Sequence, residues 1–397
     1  MKTKLLSGWK MMKIADVATS VSAGGTPSRD KKEYWANGSI DWIKISDMQS
    51  VYISKTEEKI TKLGLENSSA KLFPKGTVVY SIFATLGAIG ILAIEAATNQ
   101  AIVGIIPKKE LISIKYLYYC LRAERNKIIA KKSHATQDNL NLTILKNHEI
   151  PVPPLSTQQK IVSILEQVEQ AKELRKEADE LTRQFLKAVF AAMFRDKFPT
   201  RKLGALASKI SSGSTPLGGS ENYLENGEIL FIRSQNILMN KFSDHDNLYI
   251  SHAIHQKMKR TWVKKYDVLL NITGASIGRT AIYMGEDDKA NVNQHVCIIR
   301  VRDIKELNPI YLNYYLSSDK IQAYIQSINA GGTREALNYS QIKYFEIPIP
   351  PIFSQQKFAS IVKEVEKIKE QQKQSQQHIA SVFNNLMQKA FKGELAC

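Results

Sequence analysis

The segment Ile150-Pro-Val-Pro-Pro-Leu-Ser-Thr-Gln-Gln-Lys-Ile-Val162 occurs a second time as Ile347-Pro-Ile-Pro-Pro-Ile-Phe-Ser-Gln-Gln-Lys-Phe358. Both copies open with a Pro-rich run, residues 150–154 and 347–351, which we call the straps. Each Pro removes a backbone donor and pushes the residue before it toward extended geometry, so a strap cannot be helical. Apolar residues at helical spacing follow each strap. The chain therefore changes twice from an extended segment to a long helix.

Other parts of the chain repeat in the same order. Ser22-Ala-Gly-Gly-Thr-Pro27 recurs as Ser211-Ser-Gly-Ser-Thr-Pro216, so that Thr26 and Thr215 are 189 residues apart. Further pairs are Thr85–Gly90 with Thr273–Gly278, Asn99-Gln100 with Asn293-Gln294, and Tyr116–Leu121 with Tyr311–Leu316. The offset drifts in small steps, as insertions in surface loops produce. The chain is thus an internal duplication, which fixes its domain plan.

The two helical segments carry apolar residues in steps of three and four. We predict that the first helix packs through Ile161, Leu165, Val168, Ala171, Leu174, Ala178, Leu181, Phe185, Ala188 and Ala192. We predict that the second packs through Phe358, Ile361, Val365, Ile368, Ile379, Val382 and Leu386, with polar Gln372 and Ser375 in between. This spacing over about four heptads is typical of a coiled coil. Ser156 with Gln159 predicts a capping box, and Ser354 predicts a simple N-cap.

These patterns predict an α+β fold. Two mixed α/β units, related by a pseudo-twofold axis, are joined by two long coiled-coil helices. The helices should run antiparallel, because the first leads from one unit to the other and the second must return to bury its apolar face. The expected domains are residues 1–154 and 198–351 for the mixed units, and 155–197 and 352–393 for the helices.

Composition indicates a polyanionic partner. Lys and Arg number 55 against 38 Asp and Glu, which gives a net charge of +17. Positive charge of this size favours nucleic acid, since neutralising phosphates releases counterions, although a generally lysine-rich composition is an alternative. No apolar run is long enough for a membrane span, and no apolar segment follows the N-terminal charges. We expect a cytoplasmic protein without membrane contact.

Candidate DNA-binding residues come from two kinds of segment. Recurring segments supply Lys44 with its counterpart Arg233, both in predicted strands, and Thr85 with its counterpart Thr273, both in recurring turns, followed by Arg279. The glycines of these turns fit either approach to a phosphate or tight packing. The stretches 48–75 and 236–265 differ between the halves, and two DNA readers should differ where they read bases. The second of these stretches contributes Lys241, Lys257, Lys259 and Arg260, for which a solvated basic face is the alternative.

The recurring Asn-Gln pairs permit two interpretations. Asn and Gln side chains can pair with the major-groove edge of adenine. Their identity in both halves favours turn formation instead, because recognition of different sequences should make the two copies diverge.

Catalytic signatures are missing from the sequence. There is no phosphate-binding Gly-x-x-x-x-Gly-Lys loop and no His-Glu-x-x-His motif. Asn308-Pro-Ile-Tyr311 resembles the Asn-Pro-Pro-Tyr of adenine methyltransferases, but no glycine-rich cofactor loop precedes it. Asn308 as N-cap and Pro309 in the first turn of a helix explain this segment. The sequence predicts a chain without catalytic or metal-binding residues.

The straps, the Gln-Gln-Lys that follows each, the Thr-Pro turns and the doubled layout resemble the DNA-specificity subunits of type I restriction–modification systems. The resemblance covers nearly the whole chain. It implies two target-recognition domains, each reading one half of a bipartite double-stranded DNA sequence. It also implies that the long helices are a spacer and part of the docking surface for two methyltransferase (modification) subunits.

The resemblance further implies a prokaryotic complex with ATP-dependent endonuclease (restriction) subunits. S-adenosylmethionine would belong to the methyltransferase subunits, and this chain would hold no cofactor. Two alternatives remain from the residues themselves. A non-catalytic coiled-coil adaptor leaves the charge unexplained unless it binds DNA, and the recognition part of another restriction enzyme would require a cofactor or nuclease motif.

Overall fold

The computed structural model describes residues 8–131, 140–329 and 336–395. The N-terminal residues 1–7, on which the expected location partly rests, lie outside the described residues. The chain divides into unit 1, Met1–Lys176 with Gln374–Cys397, and unit 2, Glu177–Lys373. Each unit contains one mixed α/β part and a portion of each long helix.

In the described residues of unit 1, the mixed part consists of short strands and three α-helices. They are β1 (Lys10–Lys13), β2 (Ala18–Ala23), β3 (Ile40–Ile43), β4 (Tyr52–Ile53), β5 (Glu58–Ile60), α1 (Lys62–Glu66), β6 (Leu72–Phe73), β7 (Val78–Ser81), β8 (Ile89–Leu92), β9 (Ala96–Thr98), β10 (Ile102–Pro107), α2 (Ile114–Ile129), α3 (Leu142–Lys146) and β11 (Glu149–Val152). The first long helix is α4 (Leu155–Met193).

Unit 2 repeats the main elements of this order and adds α5 and α8. Its elements are β12 (Thr200–Lys202), α5 (Leu203–Leu206), β13 (Ala207–Ser212), β14 (Ile229–Ile232), β15 (Ile237–Leu238), β16 (Lys241–Phe242), β17 (Leu248–Ile250), α6 (His252–Lys257), β18 (Val268–Asn271), β19 (Thr280–Ile282), β20 (Ala290–Val292), β21 (Val296–Val301), α7 (Pro309–Leu316), α8 (Asp319–Asn329), α9 (Tyr339–Lys343) and β22 (Glu346–Pro348). The second long helix is α10 (Ile352–Lys392).

The sheets confirm the duplication. The order β2-β10-β7-β8 in unit 1 matches β13-β21-β18-β19 in unit 2, and β5-β3-β9 matches β17-β14-β20. The straps take part in β11 and β22, which pair antiparallel with β1 and β12. The predicted α+β class and the predicted extended straps are therefore confirmed. In each unit the larger sheet buries its Val and Ile residues against helices, α2 in unit 1 and α7 in unit 2.

The predicted capping box at Ser156 and the predicted simple N-cap at Ser354 are both wrong. Helix α4 begins at Leu155 and α10 at Ile352, so Ser156 and Ser354 lie inside the first turn rather than at the cap. Pro154 and Pro351 hold the position before each helix, since each carbonyl accepts a bond from the backbone of the first turn.

Within each unit the two long helices pack antiparallel. In unit 2, Phe190 lies 5.2 Å from Phe358 between ring centroids, while Thr182, earlier in α4, accepts a 2.8 Å hydrogen bond from Gln372, later in α10. In unit 1, Ile161 and Leu165 share a core with Phe391 near the end of α10. The prediction of two long antiparallel helices is confirmed.

The predicted contact face of these helices is partly wrong. Leu174, Leu181, Phe185 and Ile368 keep 58, 59, 50 and 45% of their surface exposed. Leu186 is buried instead, at 3% exposure, and packs with Phe358 and Val362.

A polar middle section explains the error. The contact face of α4 runs from Ile161, Leu165 and Val168 to Leu186, Val189 and Met193, and heptad spacing places polar Lys172 and Thr182 between them. Lys172 lays its ammonium over the Phe383 ring at 3.6 Å, and Thr182 bonds Gln372. Following apolar residues alone therefore leads to the wrong face after Val168. Gln372, interpreted as a polar interruption, does lie in the contact.

Two further observations complete the fold. Asn308 caps α7 through a 2.8 Å bond from Ile310 N to its Oδ1, with Pro309 in the first turn, as predicted. Among the described residues, no helix combines the length and apolar character that a membrane span requires.

Candidate nucleic-acid interface

Four recurring turns meet at one edge of the small sheet in unit 1. Strands β3 and β9 are parallel, so both end at this edge. Backbone bonds then join the turns: Asn99 N donates to Ile43 O at 3.1 Å, Gly25 N to Thr98 O at 2.9 Å, and Ile82 N to Ala101 O at 2.8 Å. We call residues 24–27, 44–47, 82–88 and 99–101 turn cluster 1.

Unit 2 builds the same arrangement. Strands β14 and β20 are parallel, and Asn293 N donates to Ile232 O at 3.0 Å. Gly213 N donates to Asn293 O at 3.1 Å, and Ile272 N to His295 O at 2.9 Å. Residues 213–216, 233–236, 273–278 and 293–295 form turn cluster 2. Recurrence in the sequence had indicated three of the four turns in each cluster, whereas Lys44 and Arg233 had been expected in strands.

The glycines at the start of the Thr-Pro turns serve packing. A Cβ on Gly24 would overlap the Thr98 side chain, and a Cβ on Gly213 would overlap the Val292 carbonyl. Glycine is required because another strand end approaches too closely for any side chain. Close packing of the strand ends therefore accounts for both glycines.

The Asn of each Asn-Gln pair forms its turn. Asn99 Oδ1 accepts from Ala101 N, and Asn293 Oδ1 accepts from His295 N, both at 3.1 Å. Turn formation is confirmed for the asparagines. The glutamines take no part in this bond and are exposed.

Lys44 and Arg233 occupy equivalent positions but differ in their partners. Lys44 Nζ lies 2.8 Å from Glu57 and 2.9 Å from Glu58. Its hydrogen bonds to Glu57 and then Glu58 raise the pKa of the Lys44 ammonium above its usual value. The charge of Lys44 is thus engaged within the unit, which reduces its value as a phosphate ligand.

Arg233 bonds a backbone carbonyl instead. Its Nη2 donates to Asp246 O at 2.6 Å. Within the described part of the chain no carboxylate forms an ion pair with it, so its positive charge is not neutralised locally. Of the two equivalent residues, Arg233 has the stronger case for contact with DNA.

The two threonines differ as well. Thr85 is exposed, and its carbonyl accepts bonds from Ser81 Oγ and from Ala88 N. Thr273 bonds His295, with 2.5 Å between Thr273 Oγ1 and His295 Nδ1. Both lie in the turn clusters.

The remaining cations lie at other places in unit 2. Lys241 and Arg279 are exposed near one another, since Asn240 N donates to Thr280 O at 2.8 Å. Lys257, Lys259 and Arg260 are exposed on and after α6. Helix α6 follows the end of β17 that pairs with the start of β14, because Ile250 lies opposite Ile229. The basic group on and after α6 therefore starts from the sheet edge opposite turn cluster 2, and the structure does not bring all candidate residues together.

Comparison with known proteins identifies the family to which the chain belongs. The sequence matches the type I restriction modification DNA specificity domain over residues 6–183 and again over 196–381. The chain belongs to this family. The two matches coincide with the two copies of the internal repeat, and they give the chain a DNA sequence-specificity role with two domains.

Individual proteins agree with this assignment. The chain is 28% identical to the MjaIX specificity subunit of Methanocaldococcus jannaschii, a type I restriction enzyme, over 99% of this chain and 94% of that protein. A chain from a structure on complex assembly and conformational transition of the type I R-M system gives a TM-score of 0.66 at 20% identity, covering 99% of this chain and 100% of the other. The HsdS subunit from Thermoanaerobacter tengcongensis gives 0.52 at 20% identity, covering 99% of each. The two structural likenesses concern the fold.

Some features of this specificity-family chain have no clear signal in the sequence. One is a series of side-chain hydrogen bonds in turn cluster 2, which links Thr215, Gln294, His295 and Thr273. Another is Arg29, whose guanidinium lies 3.6 Å from the centre of the Trp35 ring and also pairs with Glu58. Only recurrence of Thr26 as Thr215 and Gln100 as Gln294 could have suggested the first. Nothing in the spacing of Arg29, Trp35 and Glu58 indicates the second.

Proposed function

We propose that this chain is the DNA-specificity subunit of a type I restriction–modification complex. Residues 1–154 and 198–351 each read one half of a bipartite double-stranded target, and α4 and α10 form the spacer. The duplication carries the proposal. The same turn cluster is built twice, on two sheets of the same topology, while the charged side chains around it differ between the copies, as two readers of different half-sites require.

The chain acts by binding alone. Methyl transfer would come from two methyltransferase subunits that hold S-adenosylmethionine, and cleavage from ATP-dependent restriction subunits, all in the cytoplasm of a prokaryote. The family assignment and the absence of catalytic motifs in the sequence support this division of labour.

An exposed apolar face of α4 supports docking of the methyltransferase. In unit 2 this face consists of Leu181, Phe185, Ala188 and Ala192, all exposed and spaced by four, three and four residues. Apolar residues at this spacing line one side of a helix and suit a partner helix. We assign this face to the methyltransferase subunit.

Charge reversal in the basic group on and after α6 tests whether unit 2 binds DNA. We expect the combined reversal Lys257→Glu, Lys259→Glu and Arg260→Glu to weaken binding to duplex DNA of any sequence. The dependence of log K on log salt should flatten by up to about three units if each cation neutralises one phosphate. The variant should remain folded, since the three side chains are exposed. The measurement is a salt titration of DNA affinity with the methyltransferase complex.

A matched control reverses Lys357, Lys363 and Lys373, which are exposed on α10 in the same unit. It makes the same change in net charge away from the group. Equal loss in both variants would mean that only overall charge matters, and unchanged affinity in the first would remove these residues from the interface.

A further inference from the structure

Gln100 and Gln294 are held in the same way in the two turn clusters. Both side chains are exposed, and each Oε1 accepts a hydrogen bond from a threonine hydroxyl, Thr26 in unit 1 and Thr215 in unit 2. An exposed Gln normally samples many rotamers, so this bond fixes the direction of the amide. The same direction is fixed twice, on sheets of the same topology.

Turn cluster 2 adds a second restraint. Gln294 Nε2 lies 3.1 Å from His295 Nε2, and His295 Nδ1 lies 2.5 Å from Thr273 Oγ1. An amide nitrogen can only donate, so His295 Nε2 accepts and the ring proton is on Nδ1. The bonds run from Thr215 to Gln294 to His295 to Thr273. Unit 1 has Ala101 at the equivalent place and lacks this extension.

The glutamines are not needed for the turns that carry them. The asparagine before each Gln forms the turn bond, at 3.1 Å in both copies. Both Gln side chains are also outside the hydrophobic cores. Within the fold each glutamine bonds the threonine of a neighbouring turn, and the remaining edge of its exposed amide faces solvent.

The hydrogen-bond donor and acceptor that the amide has left unused define the ligand. After the bonds to Thr215 and His295, Gln294 retains one lone pair on Oε1 and one hydrogen on Nε2. A phosphate offers acceptors alone and would leave the oxygen unmatched. Adenine in the major groove offers a donor at N6 and an acceptor at N7, which match both.

We propose that Gln100 and Gln294 each contact the N6 and N7 atoms of an adenine in the half-site read by their own unit. This inference rests on the proposed function and names one base contact within it. The identity of the two copies follows, because both half-sites would present the same base at this position. The threonines act as positioning residues, and His295 positions the amide further in unit 2.

The test uses the full chain co-expressed with its methyltransferase subunit in a methylation-free host, and sequencing of modified bases gives the target. Gln294→Ala should relax one adenine position in a single half-site and leave the other half-site unchanged. Gln100→Ala should do the same in the opposite half-site. Loss of discrimination should be about 5- to 150-fold in each case.

Duplexes with 7-deazaadenine, which lacks N7, test the contact to this single atom. This substitution should weaken binding of the wild-type complex but not weaken the Gln294→Ala complex any further. Gln294→Glu should lose adenine preference because a carboxylate cannot donate to N7. Thr215→Val keeps the amide and should weaken the preference, whereas Thr215→Ser should retain it.

Three results would overturn the inference: equal weakening on all sequences, relaxation in both half-sites from one substitution, or an unchanged target. Since Gln294 is exposed, its variants should melt at the wild-type temperature. If the wild-type pair itself methylates no split sequence, the proposed function fails, and this outcome is distinct from failure of the glutamine contact.

Discussion

At the scale of single residues, one buried glutamine in each unit ties a strap to the fold. Gln158 Nε2 donates to Leu111 O at 2.8 Å and to Pro153 O at 2.9 Å, and its Oε1 accepts from Ser113 N at 2.8 Å. Gln355 in unit 2 makes the corresponding three bonds to the strap and the start of α7. The sequence predicted a role for the neighbouring Gln159 and missed Gln158. A local capping rule cannot detect a bond to a distant segment.

Replacing this glutamine should be costly. We expect Gln158→Ala to lower the free energy of unfolding by about 3 kcal/mol, since it leaves buried backbone groups without partners. Gln159→Ala, at the exposed position beside it, should change stability by less than about 0.5 kcal/mol. Urea denaturation of both variants measures the difference. Equal stability of the two would show that the buried bonds contribute nothing net.

At the turn clusters, too, the sequence located the turns but not the individual side-chain contacts. Recurrence in the sequence identified the turns, and the pairing of parallel strands brought them together. The sequence could not show that Lys44 pairs with Glu57 and Glu58, because Lys44 is 13 residues away from Glu57 and the fold brings them together. The sequence also could not show that Asn99 forms the turn while the adjacent Gln100 is exposed.

At the scale of elements, the long helices were predictable in existence and direction but not in contact face. The heptad spacing predicted α4 and α10 to within a few residues of their ends. The face was mistaken after Val168 because polar residues occupy the middle of the true contact, and apolar residues at the same spacing lie on another side. An apolar pattern on a helix therefore indicates a buried surface without saying whether this chain or a partner buries it.

The two faces of α4 in unit 2 should respond differently to truncation. Leu186→Ala should cost about 2–5 kcal/mol, because Leu186 is buried against Phe358. Leu181→Ala combined with Phe185→Ala should leave the melting temperature nearly unchanged and reduce capture of the methyltransferase subunit. Thermal unfolding and a pull-down with purified methyltransferase measure the two effects.

Ile304→Ala is the control for the exposed face, since Ile304 is 65% exposed in the same unit and lies between β21 and α7, outside α4. Full capture by the double variant would place the methyltransferase elsewhere. A large loss of stability in that variant would contradict the exposed position of the two side chains.

At the scale of the whole molecule, the sequence predicted most of the architecture. Ordered repeats indicated two copies of one fold, and the Pro-rich straps located the start of each long helix. Base recognition could not be predicted to the same degree. It depends on which side chains reach the surface together, and parallel strand pairing decides that in three dimensions.

The central claim is that each mixed unit reads its own half of a split DNA target. Its most direct test is base-modification sequencing of DNA from a methylation-free host that expresses this chain with its methyltransferase subunit, before and after residues 198–351 are exchanged for those of another specificity subunit. We predict a split motif, methylated on both strands, in which only one half changes on exchange. A change in both halves, or no methylation with a soluble and cofactor-bound methyltransferase, would contradict the account.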